Sequence, residues 1–268
     1  RKELEAMGVA LDVSGFDYGA VFKKSRQAAD RLSKGVQALL KKNKVELIQG
    51  TAVMESQHAV KVDGKSITAK NIVIASGSRP RAIPGFEFDE KQVLSSTGAL
   101  MLEKLPKSII ILGGGYIGME FAHVMSTFGV EVTVVEMLDR ILPISDAEVV
   151  SVLERDFKRR GVEFMTSTKA EKLTKKKEGI ALEVSSAEGK KTLEAELLLV
   201  SVGRAPNTEE LGLDKVGVKT EKGFVKVRDY YQTDVSGIYA IGDVVATPQL
   251  AHVASKEGEI AVEHMAGH

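Results

Sequence analysis

The stretch IIILGGGYIGMEFA, residues 109–122, runs from continuous aliphatic residues into three glycines and then resumes apolar positions at helical spacing. Gly113, Gly115 and Gly118 form G-x-G-x-x-G, with Gly114, Tyr116 and Ile117 filling the hinge. The pattern sits where a strand ends and a helix starts. The first glycine permits a tight turn, the second lets backbone approach a pyrophosphate, and the third lets helix and strand pack closely. The helix terminus then offers free N–H groups and partial positive charge to phosphates. The spacing assigns a dinucleotide to this hinge because Glu136 ends the next predicted strand, VEVTVVE, 18 residues beyond Gly118. A carboxylate there accepts hydrogen bonds from ribose hydroxyls and repels a 2′-phosphate, which favours NAD over NADP. Arg140 is the one nearby cation that argues the other way. The alternative is a glycine-rich turn in an ordinary α/β domain, and strand, hinge, helix, strand and acid in this order weigh against it.

Outward from the hinge, residues 108–227 read as one repeating α/β unit. SIIIL is a strand, 116–128 a helix, VEVTVVE a strand, 146–161 a helix and VEFMTS a third strand. Near-continuous Val/Ile/Leu strands alternating with amphipathic helices predict a parallel sheet covered on both faces. A meander containing GIALEVSS and KKTLEAE follows, and LLLVSVG returns to the sheet.

The flanks differ. Residues 17–42 place Val21, Ala28, Leu32, Val36, Leu39 and Leu40 near one stripe, predicting an amphipathic helix packed on a sheet. Residues 45–75 break into the short segments VELIQGTAVME, HAVKVDG, KSITA and NIVIASG, predicting a small antiparallel ribbon from residue 45 with Asp63-Gly64 as a hairpin signal, followed by NIVIA as a buried strand. At the other end, SGIYAIGDV is a strand ending in Gly-Asp, and a last helix spans about 249–266. Each flank supplies one buried strand. They are expected to form one discontinuous domain, residues 1–107 and 228–268, into which 108–227 is inserted.

Composition bounds the function. The 268 residues carry 37 basic and 37 acidic side chains, and this balance argues against nucleic acid or an anionic membrane as the main partner. The basic runs KKNK (41–44) and TKKKEG (174–179) read as a solvated helix end and a hairpin tip. No apolar run reaches the roughly 20 residues of a bilayer span. The absence of cysteine excludes disulfides and thiolate metal sites within the chain. His264 and His268 have metal-pair spacing but no third ligand nearby, so no metal is expected and a frayed helix end is the better account.

Four motifs in order carry a resemblance. IASGSRP (74–80), GGGYIGMEFA (113–122), SVGRAPNT (201–208) and TDVSGIYAIGDV (233–244) resemble the domain crossover, NAD hinge, nicotinamide loop and ribityl-binding aspartate of the flavin-dependent pyridine nucleotide disulfide oxidoreductases. PQLAHVASKEGEIAVEHMAG (248–267) and KKNKVELIQGTA (41–52) are most similar to the branch that oxidises dihydrolipoamide. The resemblance implies an α/β fold in which a Rossmann-like NAD-binding domain is inserted in an incomplete FAD-binding domain of the same type. It implies an enzyme, a homodimer in full-length form, that passes electrons from dihydrolipoamide on a lipoyl-bearing partner protein through a cysteine pair and FAD to NAD. Bacterial cytoplasm or mitochondrial matrix is its expected compartment. The family also has a flavin hinge and redox cysteines upstream and a dimerisation domain downstream, so Arg1 reads as a boundary inside a longer polypeptide.

By the same resemblance, NAD is expected at Gly113, Gly114, Gly115, Tyr116, Ile117, Gly118, Glu120, Glu136, Ala170 and Gly203. FAD is expected at Ala52, Ser76, Gly77, Ser78, Asp243, Gln249, Leu250, Ala251 and His252. Glu120 corresponds to a glutamate beside the nicotinamide and flavin rings, and its alternative is an acid that favours a helix N-terminus. Tyr116 resembles the tyrosine that covers the nicotinamide pocket in glutathione reductase, with plain packing as the alternative. His252 is expected to meet the flavin through backbone rather than as an acid or base. A glutathione- or mercuric-type reductase, or a noncatalytic NAD-binding module, are the other readings of the chain.

Overall fold

The computed structural model describes residues 7–8 and 15–268. Among the described residues the elements run from α1 (Tyr18–Lys42) to β1 (Ala52–Ser56), β2 (Ala59–Val62), β3 (Lys65–Thr68), β4 (Ile72–Ile74), β5 (Ser78–Pro80), β6 (Val93–Leu94) and the short α2 (Ser96–Ala99). Then come β7 (Ser108–Leu112), α3 (Tyr116–Thr127), β8 (Glu131–Val135), α4 (Ala147–Arg159) and β9 (Glu163–Met165). The remainder is β10 (Lys169–Lys175), β11 (Ile180–Ser186), β12 (Gly189–Ala195), β13 (Leu197–Val200), β14 (Arg204–Pro206), β15 (Thr220–Glu221), β16 (Phe224–Val225), β17 (Ile238–Ala240) and α5 (Ala251–Met265).

Two compact units divide the chain. The first comprises 1–46 and 82–202, the second 47–81 and 203–268. The first is built on a five-stranded parallel sheet in the order β6-β13-β7-β8-β9. Its strands are apolar on both faces because both are covered. Ile109, Ile111, Val132, Val134 and Leu199 pack with Met119, Ala122 and Met125 of α3 and Val150 and Phe157 of α4. Ile110, Leu112, Val135, Leu198 and Val200 pack against Ile180, Leu182, Val184 and Leu193 of the antiparallel meander β10-β11-β12. Residues 82–107 join this unit through β6, whose Val93 and Leu94 pair with Leu198 and Leu199.

In the second unit β4 and β17 pair in parallel, Ile72 with Ile238 through Ile74 with Ala240. The ribbon β1-β2-β3 turns at Asp63 and Gly64, both at positive φ (45° and 90°), as a two-residue hairpin demands. Residues 203–227 belong here, with β14 antiparallel to β5 and Leu213, Val218 and Val225 in a core with Ile74 and Ile238.

Two expectations fail. Residues 45–50 form no strand. α1 forms, with Asp17 Oδ1 capping Gly19 N at 2.8 Å, but its stripe packs on no described strand. Leu32, Val36 and Leu39 are 74%, 58% and 59% exposed. Periodicity reports a face able to pack, and a sheet must be present to receive it. The helix is tied at its start, where Phe16 stacks on Phe128 and Tyr18 meets the same ring edge-on.

Candidate functional site

In the first unit β7 runs straight into the glycine hinge, and the hinge glycines differ in what they serve. Gly113 sits at φ 107°, and a Cβ there would lie 2.6 Å from the Ser201 carbonyl oxygen. A Cβ on Gly118 would lie 2.1 Å from the Gly113 carbonyl oxygen, so α3 can approach β7 only with glycine at this position. Gly114 is confined by Ile141 and Glu136. Gly115 is different: a Cβ there would meet nothing within 4 Å. The fold itself has no need of glycine at 115, which leaves the space in front of the helix as the reason. Gly115 is also the N-cap of α3, with no side-chain cap and no acid in the first turn, so the leading N–H groups are free to bind an anion.

Glu136 follows β8 and closes the other side. Its Oε2 accepts from Gly114 N at 2.6 Å and its Oε1 from Leu138 N at 2.8 Å. A carboxylate has about four acceptor sites, so each oxygen keeps one for a ligand hydroxyl. Arg140 Nη2 donates to the Pro143 carbonyl at 2.5 Å. Tyr116 is exposed at the helix start with its hydroxyl 3.3 Å from Ser145 Oγ. Ile117 is half-buried behind it, and Glu120 is exposed on α3. Ala170 lies on β10 of the same unit, whereas Gly203, at φ 110°, is assigned to the second unit.

The second unit assembles a polar cluster at the carboxyl ends of β4 and β17. Gly242, at φ 72°, turns the chain so that Asp243 Oδ2 accepts from Ser78 Oγ at 2.6 Å. Ser78 Oγ in turn accepts from Arg204 Nε at 2.6 Å, while Arg204 Nη2 donates to the Ser78 carbonyl at 2.7 Å. The guanidinium stands 3.6 Å from Asp243 Oδ2. One oxygen of Asp243 is thus engaged, and the other remains as an acceptor. Ser76 Oγ donates to the Asn207 carbonyl and Asn207 Nδ2 to the Ser76 carbonyl, tying the segment around Gly77 to the 204–208 loop. Gln249 Nε2 reaches the Asp243 carbonyl at 3.4 Å. Leu250, Ala251 and His252 are exposed at the start of α5, which has no side-chain cap, and Ala52 opens β1.

Beside this cluster Arg79 and Glu209 form a two-pronged ion pair at 3.0 and 2.8 Å. That guanidinium holds the Glu209 carboxyl down to about 2. Arg204 and Asn207 lie in the SVGRAPNT motif but carry no individual expectation from the sequence, and Glu209 lies just beyond it; a polar run directly after an apolar strand is the available signal. His264 corrects the frayed-end expectation, because its Nδ1 lies 2.9 Å from the Tyr239 hydroxyl and its ring stacks on Tyr230 at 4.6 Å. Among the described residues no group of three or more His, Cys, Asp or Glu could hold a metal ion, and no helix is long and apolar enough to cross a membrane.

Known proteins are similar to this chain over nearly its whole length. The family model described as pyridine nucleotide-disulphide oxidoreductase matches residues 3–258. A dihydrolipoyl dehydrogenase of Geobacillus stearothermophilus is 38% identical over 272 residues, covering 100% of this chain and 58% of that protein. One of Chlorobaculum tepidum is 43% identical, covering 99% and 58%. The mitochondrial dihydrolipoyl dehydrogenase of Pisum sativum is 40% identical, covering 97% and 54%. Among solved structures, LpdA of Mycobacterium tuberculosis superimposes with a TM-score of 0.90 at 29% identity, covering 100% of this chain and 59% of that one. The HOCl-induced flavoprotein disulfide reductase RclA of Escherichia coli gives 0.84 at 26%, covering 94% and 58%. The chain therefore spans just over half the length of the relatives it matches.

Proposed function

This chain belongs to the pyridine nucleotide-disulphide oxidoreductase family, whose dihydrolipoyl dehydrogenases use FAD and NAD, and from that membership we propose that it is the nucleotide-handling stretch of a dihydrolipoyl dehydrogenase. The net reaction removes two electrons and two protons from the dithiol of dihydrolipoamide, forms its disulfide, and delivers a hydride to NAD with release of one proton. FAD, when bound, supplies the two-electron relay between dithiol and NAD. The redox cysteines of such an enzyme lie outside these residues, which contain none. The observation that carries the proposal within the fold is the open space at Gly115 facing an uncapped helix terminus, because a fold that needs no glycine there leaves the ligand as its purpose.

In this reading Gly113, Gly114, Gly115, Ile117 and Gly118 cradle the NAD pyrophosphate, and Glu136 takes the adenosine ribose. Tyr116 and Glu120 stand toward the nicotinamide end. Ala170 and Gly203 complete the NAD set. Asp243 accepts from the flavin ribityl chain, with Ser76, Gly77 and Ser78 beside it. Residues 249–252 offer backbone N–H groups, and Ala52 completes the FAD set. Dihydrolipoamide reaches the enzyme on a lipoyl-bearing protein, and the working form is a homodimer in bacterial cytoplasm or mitochondrial matrix.

The likeness to RclA and the exposed Tyr116 favour one competing reading, a disulfide reductase with another substrate. Turnover of the full polypeptide carrying these residues separates the two. Dihydrolipoamide with NAD should be the preferred pair, and a strong preference for NADPH with glutathione would overturn the proposal.

A further inference from the structure

One face of α5 is shaped to receive the Gly242-Asp243 turn. A Cβ on Gly242 would lie 3.3 Å from Ala254 Cβ, and one on Gly258 would lie 3.4 Å from Ile241 Cδ1. Ala261, one turn on, is fully buried. Small residues at this spacing let helix and turn come close. Among them stands Glu257, only 1% exposed. Its Oε2 accepts from Gly242 N at 2.5 Å, and its Oε1 has no hydrogen-bond partner among the described residues. A buried carboxylate with an acceptor left over is costly, and an apolar side chain of similar volume would serve packing better. The group needs a reason other than stability.

We propose that Glu257 is a positioning residue for the flavin site, acting through the Gly242 amide to aim Asp243. The inference rests on the reading of Asp243 as the ribityl acceptor. The physical link is short. Gly242 occupies the left-handed region, which few residues tolerate, and φ is rotation about its N–Cα bond. With the amide anchored on Glu257 and φ set, the direction of the next residue is largely set as well. Asp243 then reaches Ser78 Oγ at 2.6 Å, and its second oxygen remains for the ligand. Without the acceptor the Gly242 N–H loses its partner, the turn relaxes, and Asp243 no longer meets its ligand at a fixed place.

The test uses the full polypeptide stripped of flavin, with FAD and NAD affinities measured by fluorescence titration and the melting temperature of the stripped protein recorded beside them. Glu257→Leu should weaken FAD about tenfold or more and leave NAD affinity unchanged. Glu257→Gln keeps an oxygen for Gly242 and should stay within about threefold of the parent. In an Asp243→Asn background, Glu257→Leu should add less than about twofold, since the residue acts through Asp243. If Glu257→Leu does not fold, Glu257→Asp, one methylene short of Gly242, takes its place in the same cycle. FAD binding unchanged in Glu257→Leu, a full penalty persisting beside Asp243→Asn, or a glutamine variant as weak as the leucine one would each overturn the inference. A parent protein that binds no FAD at all would instead overturn the flavin reading beneath it.

Discussion

Gly115 and Gly118 stand three residues apart in one motif and answer to different demands. A methyl group at 118 would collide with backbone, the Gly113 carbonyl at 2.1 Å, which cannot swing aside. Gly118→Ala should therefore cost stability at the upper end of about 1–3 kcal/mol, visible as an earlier denaturant midpoint. Gly115→Ala should stay within about 0.5 kcal/mol of the parent while weakening NAD, because the methyl enters only the open space where the proposed pyrophosphate would lie. Equal destabilisation by the two would remove the ligand as the reason for glycine at 115. Glu136 gives a second contrast. Glu136→Arg removes the proposed ribose acceptor and adds a cation, so NADP should gain on NAD by about 1–3 kcal/mol in relative affinity. The same change frees the amides of Gly114 and Leu138, so the variant should also melt earlier. An unchanged cofactor preference would place the ribose elsewhere.

Asp89 shows how an irregular segment becomes part of a sheet. Its Oδ1 accepts from the amides of Lys91, Gln92 and Val93, each at 2.8 Å, and its Oδ2 meets Lys175 Nζ at 2.7 Å. Gln92 adds bonds to the Lys176 and Gly179 carbonyls, so the residues leading into β6 are locked to the β10–β11 turn. Partial burial raises the carboxyl, but Lys175 and the three amides outweigh it and hold Asp89 well below the usual carboxylate range. A depressed folded value means that the unfolded chain binds the proton first as pH falls. The stabilisation is thus complete above about pH 4, where the unfolded group is ionised, and is lost progressively below it. Asp89→Asn should lower stability at pH 7 by about 1–2 kcal/mol, and its stability curve should fall less steeply than the parent's between pH 4 and the acid limit. Parallel curves for the two would show that the Asp89 charge has no part in anchoring β6.

The hinge and Glu136 lie in the first compact unit, and Asp243 with Ser78, Arg204 and Glu257 in the second. This makes cofactor affinity separable. The 268-residue polypeptide on its own should bind NAD measurably, since the hinge, helix terminus and acid of that site are all present. It should hold FAD poorly. A charge-assisted hydrogen bond at Asp243 contributes about 1.5–3 kcal/mol, far short of the roughly 8 kcal/mol that micromolar affinity requires. Absorbance of the purified polypeptide decides the matter, and a yellow preparation with stoichiometric FAD would show that these residues hold far more of the flavin than the Asp243 cluster accounts for.

What the sequence determined by itself is what short-range chemistry encodes. The strand–hinge–helix of residues 108–127, the acid at 136, the Asp63-Gly64 hairpin and the last helix were legible because glycine conformations, helix starts and the 2.0 and 3.6 periodicities act within a few residues. Only the tertiary structure decided that β4 pairs with β17, that Val93-Leu94 completes the parallel sheet, and that residues 203–227 belong with β5 rather than with the hinge. Such pairings join segments far apart in the chain, and no local pattern records which edge a strand will find. The same holds for side chains. Glu257 lies in a helix segment rich in Lys and Glu, where a glutamate reads as solvated, and its burial follows from Ala254, Gly258 and Ala261 drawing that face against the turn. His264 gained its partners because Tyr230 and Tyr239 arrive from other elements. Burial and partnership belong to the assembled fold, since they depend on which surfaces meet.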